Sequence, residues 1–106
     1  MAVAWQAVGA RPSVLEKRIT FEREISVLCV RAADGSVAFY DAPMNAHAGG
    51  ILRRSVVPSG IAPDDEKQAQ DIAAAIAVAL DYVGVLAVEL FHLGPGVPLA
   101  QRLLVN

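Results

Sequence analysis

The chain contains a single cysteine, no long apolar run and no concentrated block of basic residues, and each shortage excludes a class of protein. Cys29 cannot form an internal disulfide, and its apolar neighbours Leu28 and Val30 indicate a buried strand thiol. A reducing compartment, the cytoplasm, is therefore the expected location. The apolar run 83–91 contains Glu89 and is too short to cross a bilayer, so no membrane partner is predicted.

Charge is spread along the chain and not gathered into a patch. There are 9 lysines and arginines against 11 acidic residues, which gives a net charge of −2. Lys17-Arg18 and Arg53-Arg54 are the only adjacent basic pairs, so the basic stripe of a nucleic-acid-binding protein is absent. We therefore expect no nucleic-acid partner.

Common catalytic and metal-binding sets are missing as well. One cysteine and 2 histidines leave no CxxC pair and no helix-borne histidine pair for zinc, and no serine–histidine–aspartate set indicates a hydrolase. A length of 106 residues, 55% hydrophobic content and a mean hydropathy of +0.44 predict one folded domain or part of one. The apolar composition has two open explanations: an alanine- and valine-rich core, or a surface that further chain covers.

Strand signals surround one helical segment. The predicted strands are residues 13–16, 24–31, 36–40, 51–57, 85–91 and 103–105, with a loop over 41–50. Because turn signals connect them in place of regular crossovers, we predict an α+β fold with a mostly antiparallel sheet and one long helix packed on it. Residues 1–12 are interpreted as the tail of a preceding helix and a linker, ahead of a domain over 13–106.

The long helix has a clear predicted start. Pro63 suits a first helical turn, and the acids after it lie where the positive end of the helix dipole favours them. Gly84 is the predicted stop. The buried face is predicted from the helical spacing of Ile72, Ile76, Leu80 and Val83.

Glu89 is the most informative single position. Nearly every neighbour on both sides of the predicted strand is apolar, so a fully exposed carboxylate is not expected there. Such a carboxylate needs a cation, hydrogen-bond donors or a metal, and Mg²⁺ is a common partner. The alternatives are an ion pair with Arg53 or Arg54, or a locally wet face of the sheet.

Three further polar residues are candidate ligand contacts. Glu16 and Glu24 flank an irregular stretch, so both could face one cleft and accept hydrogen bonds from ribose hydroxyls. His47, in a predicted loop beside Gly49 and Gly50, could contact a phosphate. The alternatives are solvated acids among basic neighbours and an ordinary surface histidine.

Five segments of the sequence, read together, favour the ligand-binding interpretation of these polar residues. They are residues 14–27 (VLEKRITFEREISV), 37–40 (VAFY), 45–52 (NAHAGGIL), 79–91 (ALDYVGVLAVELF) and 103–106 (LLVN). In this order they resemble the signatures of 5-(carboxyamino)imidazole ribonucleotide synthetases, which are ATP-grasp ligases of purine biosynthesis. The resemblance covers about residues 4–106 and implies the C-terminal half of an ATP-grasp fold.

The resemblance also implies an activity and roles for particular residues. In this family ATP activates bicarbonate, and 5-aminoimidazole ribonucleotide then captures the carboxylate, so ATP and Mg²⁺ are the implied cofactors. The implied adenine-contacting hinge is Glu16, Lys17, Arg18 and Ile19. Glu24 would hold the ribose, His47 would contact the nucleotide and Glu89 would bind magnesium. Asn106 matches the asparagine of the family's closing Asn-Glu pair.

Some parts that the family has are not in this sequence. The upstream glycine-rich loop with its lysine and the second magnesium-binding glutamate are absent, and residues 93–102 are longer and more apolar than the family's short hairpin. We therefore assign no catalytic residue and expect the chain alone not to catalyse the full reaction. Bicarbonate and 5-aminoimidazole ribonucleotide are expected as partners only of a complete enzyme.

Two other functions compete with this hypothesis. One is a non-catalytic interaction module that self-associates, or docks to a separate remainder of the enzyme, through uncovered apolar surface; a strict monomer in ultracentrifugation at high concentration would count against it. The other is a different ATP-grasp member, such as a biotin-dependent carboxylase subunit, which the segment 45–52 disfavours.

Overall fold

The computed structural model describes residues 1–106 and contains a 6-stranded sheet with one long helix on one of its faces. The strands are β1 (Arg23–Arg31), β2 (Val37–Phe39), β3 (Met44–Ala48), β4 (Ile51–Val56), β5 (Gly84–His92) and β6 (Leu103–Val105). The helices are α1 (Ala2–Ala7) and α2 (Pro63–Ala79), with a short 3₁₀ turn over Leu99–Gln101. The strand order is β4-β3-β1-β5-β6, β2 also pairs with β1, and every pair is antiparallel. The predicted α+β class and mostly antiparallel sheet are confirmed.

The core lies between α2 and the centre of the sheet. Ile25, Val27 and Cys29 alternate along β1, are fully buried, and face the helix. The alanines of α2 at four-residue spacing, together with Val88, Leu90 and Leu103, complete this cluster. Small alanine side chains let the helix approach the sheet closely.

The start of α2 agrees with the sequence prediction, but its end and its buried face do not. Pro63 begins the helix, which ends at Ala79 before the predicted Gly84. Asp81 takes a left-handed conformation (φ 47°), which terminates the helix early. Leu80 and Val83, predicted to be buried, are 64% and 56% exposed.

Two predicted strand boundaries are also wrong. Residues 13–16 form no strand, since they pair with nothing and are exposed. The predicted loop 41–50 contains β3, which forms a hairpin with β4. Gly49 and Gly50 supply the positive φ values (61° and 73°) of its two-residue turn. His47 therefore lies on a strand, and alanine-rich β3 escaped detection because its residues have weak strand propensity.

Neither helix has the length and apolar character that a bilayer crossing requires.

Candidate functional site

The sheet has a second face, opposite α2, on which the candidate residues Glu24, His47, Glu89 and Asn106 lie. Side chains alternate along a strand, so the residues between Ile25, Val27 and Cys29 project away from the helix. Pairing registers extend this assignment across the sheet. We call this surface the open face and define it by Glu24, Ser26, Asn45, His47, Ser55, Glu89, Phe91, Leu104 and Asn106.

Glu24 and His47 are in direct contact on the open face. The Glu24 Oε2 atom lies 2.5 Å from Nδ1 of His47, and both side chains are partly exposed. Glu24 pairs with Asn45 on β3, and the register shift between Ala46 and His47 adjusts where the imidazole lies. The contact leaves the second carboxylate oxygen of Glu24 available to accept hydrogen bonds from a ligand.

A row of hydrogen-bonded polar residues runs beside this pair. Ser55 Oγ donates to Asn45 Oδ1 at 2.8 Å, and Asn45 Nδ2 donates to Ser26 Oγ at 2.6 Å. Ser26 lies opposite Glu89 in the β1–β5 ladder. Sequence reasoning missed these residues, although a serine and an asparagine within apolar strands were a usable signal. The row fixes β4, β3 and β1 relative to one another beneath the candidate site.

Glu89 lies on the open face and is exposed, contrary to the sheltered position expected from its apolar neighbours. Its nearest neighbours Val88 and Leu90 bury their side chains on the α2 side, and Ala87 and Phe91 share the open face with Glu89 without burying its carboxylate. Neither Arg53 nor Arg54 pairs with it. Glu24 is its diagonal neighbour across the ladder, at roughly 7–8 Å.

Asn106 adjoins Glu89 at the end of β6. The backbone N–H of Asn106 donates to the carbonyl oxygen of Glu89 at 2.9 Å, which continues the β5–β6 ladder. This register puts both side chains on the open face. Two of the sequence-predicted residues are thus held together by main-chain bonding.

A groove of about 310 Å³ connects Asn106 to the proposed hinge segment. Its lining residues are Glu16, Lys17, Ile19, Phe91, Leu104, Val105 and Asn106. Phe21 stacks on Phe91 with ring centroids 4.5 Å apart, which holds the irregular segment before β1 against the sheet. Arg18 is exposed and is the one residue of the predicted hinge that does not line the groove.

The open face has no preformed metal site made of several acidic, histidine or cysteine side chains. No group of three or more histidine, cysteine, aspartate or glutamate side chains is close enough to hold a metal ion. Magnesium commonly takes only one or two protein carboxylates and completes its shell with water and phosphate oxygens. On the open face, the exposed Glu89 and the adjoining Asn106 are the candidates for such partial ligation.

Comparisons with known proteins agree with this geometry. The ATP-grasp domain family matches residues 1–106. N5-carboxyaminoimidazole ribonucleotide synthase from Brucella melitensis is 42% identical over 99 residues, which is 93% of this chain and 27% of that protein. The crystal structure of N5-carboxyaminoimidazole ribonucleotide synthetase from Thermus thermophilus has 43% identity and a TM-score of 0.87, over 99% of this chain and 28% of that one. N5-carboxyaminoimidazole synthetase from Staphylococcus aureus, complexed with ADP, has 25% identity and a TM-score of 0.72, over 86% and 23%.

The chain thus spans about a quarter of the length of the relatives that it matches. Fold, sequence and the order of the strand signatures agree over nearly the whole chain, so the resemblance inferred from the sequence is confirmed. The chain belongs to the ATP-grasp family and is homologous to part of the N5-carboxyaminoimidazole ribonucleotide synthases.

Proposed function

We propose that the open face binds Mg-ATP and contributes part of the nucleotide site of a cytoplasmic ligase that carboxylates 5-aminoimidazole ribonucleotide with bicarbonate. One observation carries this proposal: residues distant in sequence, from Glu16 to Asn106, line one face and one groove. Membership of the ATP-grasp family supports the proposal, as does the Staphylococcus aureus relative, which is complexed with ADP.

The adenosine end of the nucleotide would lie in the groove. Ile19, Phe91 and Leu104 offer an apolar surface for a base, and the irregular segment 16–19 has free backbone groups that could read its edge. Glu24 lies on β1 directly opposite Phe91, which lines the groove. From there its carboxylate could accept hydrogen bonds from both ribose hydroxyls. Carboxylate acceptors form stronger hydrogen bonds than neutral ones.

The phosphates and magnesium would lie toward Glu89, Asn106 and His47. Bound magnesium neutralises charge on phosphoryl oxygens, which favours transfer of a phosphoryl group. Glu89 would supply one oxygen ligand, and the Asn106 amide would hold a water or a phosphate oxygen. His47, oriented by Glu24, would donate from its remaining ring nitrogen to a phosphate oxygen.

Calorimetric titration of the chain with Mg-ATP tests the proposal. We expect weak binding, because the chain spans about a quarter of its relatives' length. Glu24→Ala should weaken it by about tenfold or more, since a hydrogen bond to a charged group is lost, and His47→Ala should weaken it less. Asp71→Ala is the matched control, because Asp71 is an exposed acid on α2, on the other side of the sheet.

Two results would contradict the proposal. One is the absence of any heat of binding at millimolar Mg-ATP with the wild-type chain. The other is an equal loss of affinity in Glu24→Ala and Asp71→Ala, which would mean that the open face has no specific part in binding.

A further inference from the structure

A buried ionic cluster lies on the α2 side of the sheet, where β5 ends and β6 begins. Asp65, in the first turn of α2, is only 2% exposed, and His92, the last residue of β5, is 4% exposed. The His92 Nε2 atom lies 2.9 Å from Asp65 Oδ2, and Arg102 Nη1 donates to Asp65 Oδ1 at 3.1 Å. The nucleotide site proposed above uses none of these three residues.

Arg102 also closes the connection between the two strands. Its Nε atom donates to the carbonyl of Val97 at 2.6 Å, and its own carbonyl accepts from the Leu93 N–H at 2.8 Å. Asp65 therefore holds, through Arg102, the whole segment from Leu93 onward.

β6 depends on this attachment because it is short and lies at the sheet edge. It has 3 residues, pairs only with β5, and begins directly after Arg102. A three-residue edge strand has few ladder hydrogen bonds of its own. The position of Asn106, next after β6, is set by this strand's register on β5.

We propose that Asp65, with His92 and Arg102, positions Asn106 beside Glu89 by anchoring β6 from the opposite side of the sheet. The three are positioning residues, since none of them lines the groove. The effect on nucleotide binding rests on the function proposed above. The structural coupling between Asp65 and Asn106 does not depend on that function.

Amide hydrogen exchange tests the link without a ligand. We expect Asp65→Asn to raise the exchange rate of the Asn106 amide, relative to that of the Val27 amide in the core, by about tenfold. Asp64→Asn is the matched control, since Asp64 is the exposed neighbouring acid in the same helical turn and should leave the ratio unchanged. Arg102→Lys retains the positive charge and should give an intermediate ratio. It also replaces Asp65→Asn as the test variant if that protein does not fold.

ATP titration with and without magnesium tests the consequence. Asp65→Asn should reduce the affinity for Mg-ATP by about tenfold and that for metal-free ATP by less, because loosening β6 displaces Leu104 of the base-binding groove as well as Asn106 beside Glu89. A general loss of fold would lower both affinities equally and would overturn the positioning role. An exchange ratio equal to that of Asp64→Asn would overturn it too. If the wild-type chain binds no nucleotide, the proposed function is wrong. The ratio of the Asn106 and Val27 exchange rates would still show whether Asp65 positions Asn106.

Discussion

At the residue scale, burial and hydrogen bonding shift the pKa of Asp65 in opposite directions. Burial by itself raises the pKa of its carboxyl group, but hydrogen bonds from His92 and Arg102 and the Arg102 charge outweigh it, so the pKa is lowered. The folded chain therefore holds this proton less tightly than the unfolded chain. The stabilisation is fully present above the unfolded pKa and is lost as the pH falls through the folded pKa.

This sign gives a pH-dependent prediction for the free energy of unfolding. Asp65→Asn should lower it by about 3 kcal/mol at neutral pH, because Arg102 loses its carboxylate partner. The difference from wild type should begin to shrink as the pH drops below about 4, where the aspartate of the unfolded chain becomes protonated, and should be lost as the pH falls through the lower pKa of the folded chain. Denaturant unfolding at several pH values measures both effects. A difference that stays constant down to acid pH would contradict this account.

Residue-level prediction from sequence reached the open face but not the buried cluster. Glu16 and Glu24 were expected to face one cleft because they flank an irregular stretch, but Glu16 lines the groove and Glu24 is not among its lining residues. Glu89 was conspicuous as a charge in an apolar strand. His92 and Asp65 are 27 positions apart, and Arg102 and Asp65 are 37 apart, so no local spacing links them. Only the packing of α2 over the β5–β6 connection brings them together.

At the scale of elements, α2 shows why a helix can be predicted while its buried face is not. The side chains that reach the core are Ala69, Ala73 and Ala77, whereas Ile72 and Ile76 lie at its margin. Residues 72–80 are all apolar, so the hydrophobic pattern has no polar side to orient it. The close approach of helix and sheet, which favours alanine, decides the orientation.

A larger side chain at the centre of this contact should destabilise the fold. Ala73 is fully buried, so Ala73→Leu should lower the free energy of unfolding by about 1–3 kcal/mol through overpacking. Ala75→Leu, an exposed position on the same helix, should change it by less than about 0.5 kcal/mol. Thermal or denaturant unfolding compares the two variants. Equal effects at both positions would mean that this face of α2 does not pack tightly on the sheet.

On the scale of the whole molecule, the two faces of the sheet have different compositions and different tasks. The α2 side holds an apolar core of alanine, valine, isoleucine and leucine around one cysteine, with the Asp65–His92–Arg102 cluster at its edge. The open face holds the polar residues of the central strands, with Phe91 and Leu104 in its groove. Sequence periodicity predicted the antiparallel sheet and the long helix. It did not reveal β3, because alanines and a histidine give a weak strand signal, and so it placed His47 on a loop.

Paramagnetic broadening by Mn²⁺-ATP tests whether the nucleotide binds on the open face and not on the α2 side of the sheet. Manganese accepts the same oxygen ligands as magnesium and broadens the NMR signals of nearby nuclei. We predict that the amide signals of Glu24, Glu89 and Asn106 broaden more strongly than those of Ala73 and Ala77, which lie behind the sheet. Equal broadening on the α2 side, or none on the open face at millimolar Mn²⁺-ATP, would contradict the account.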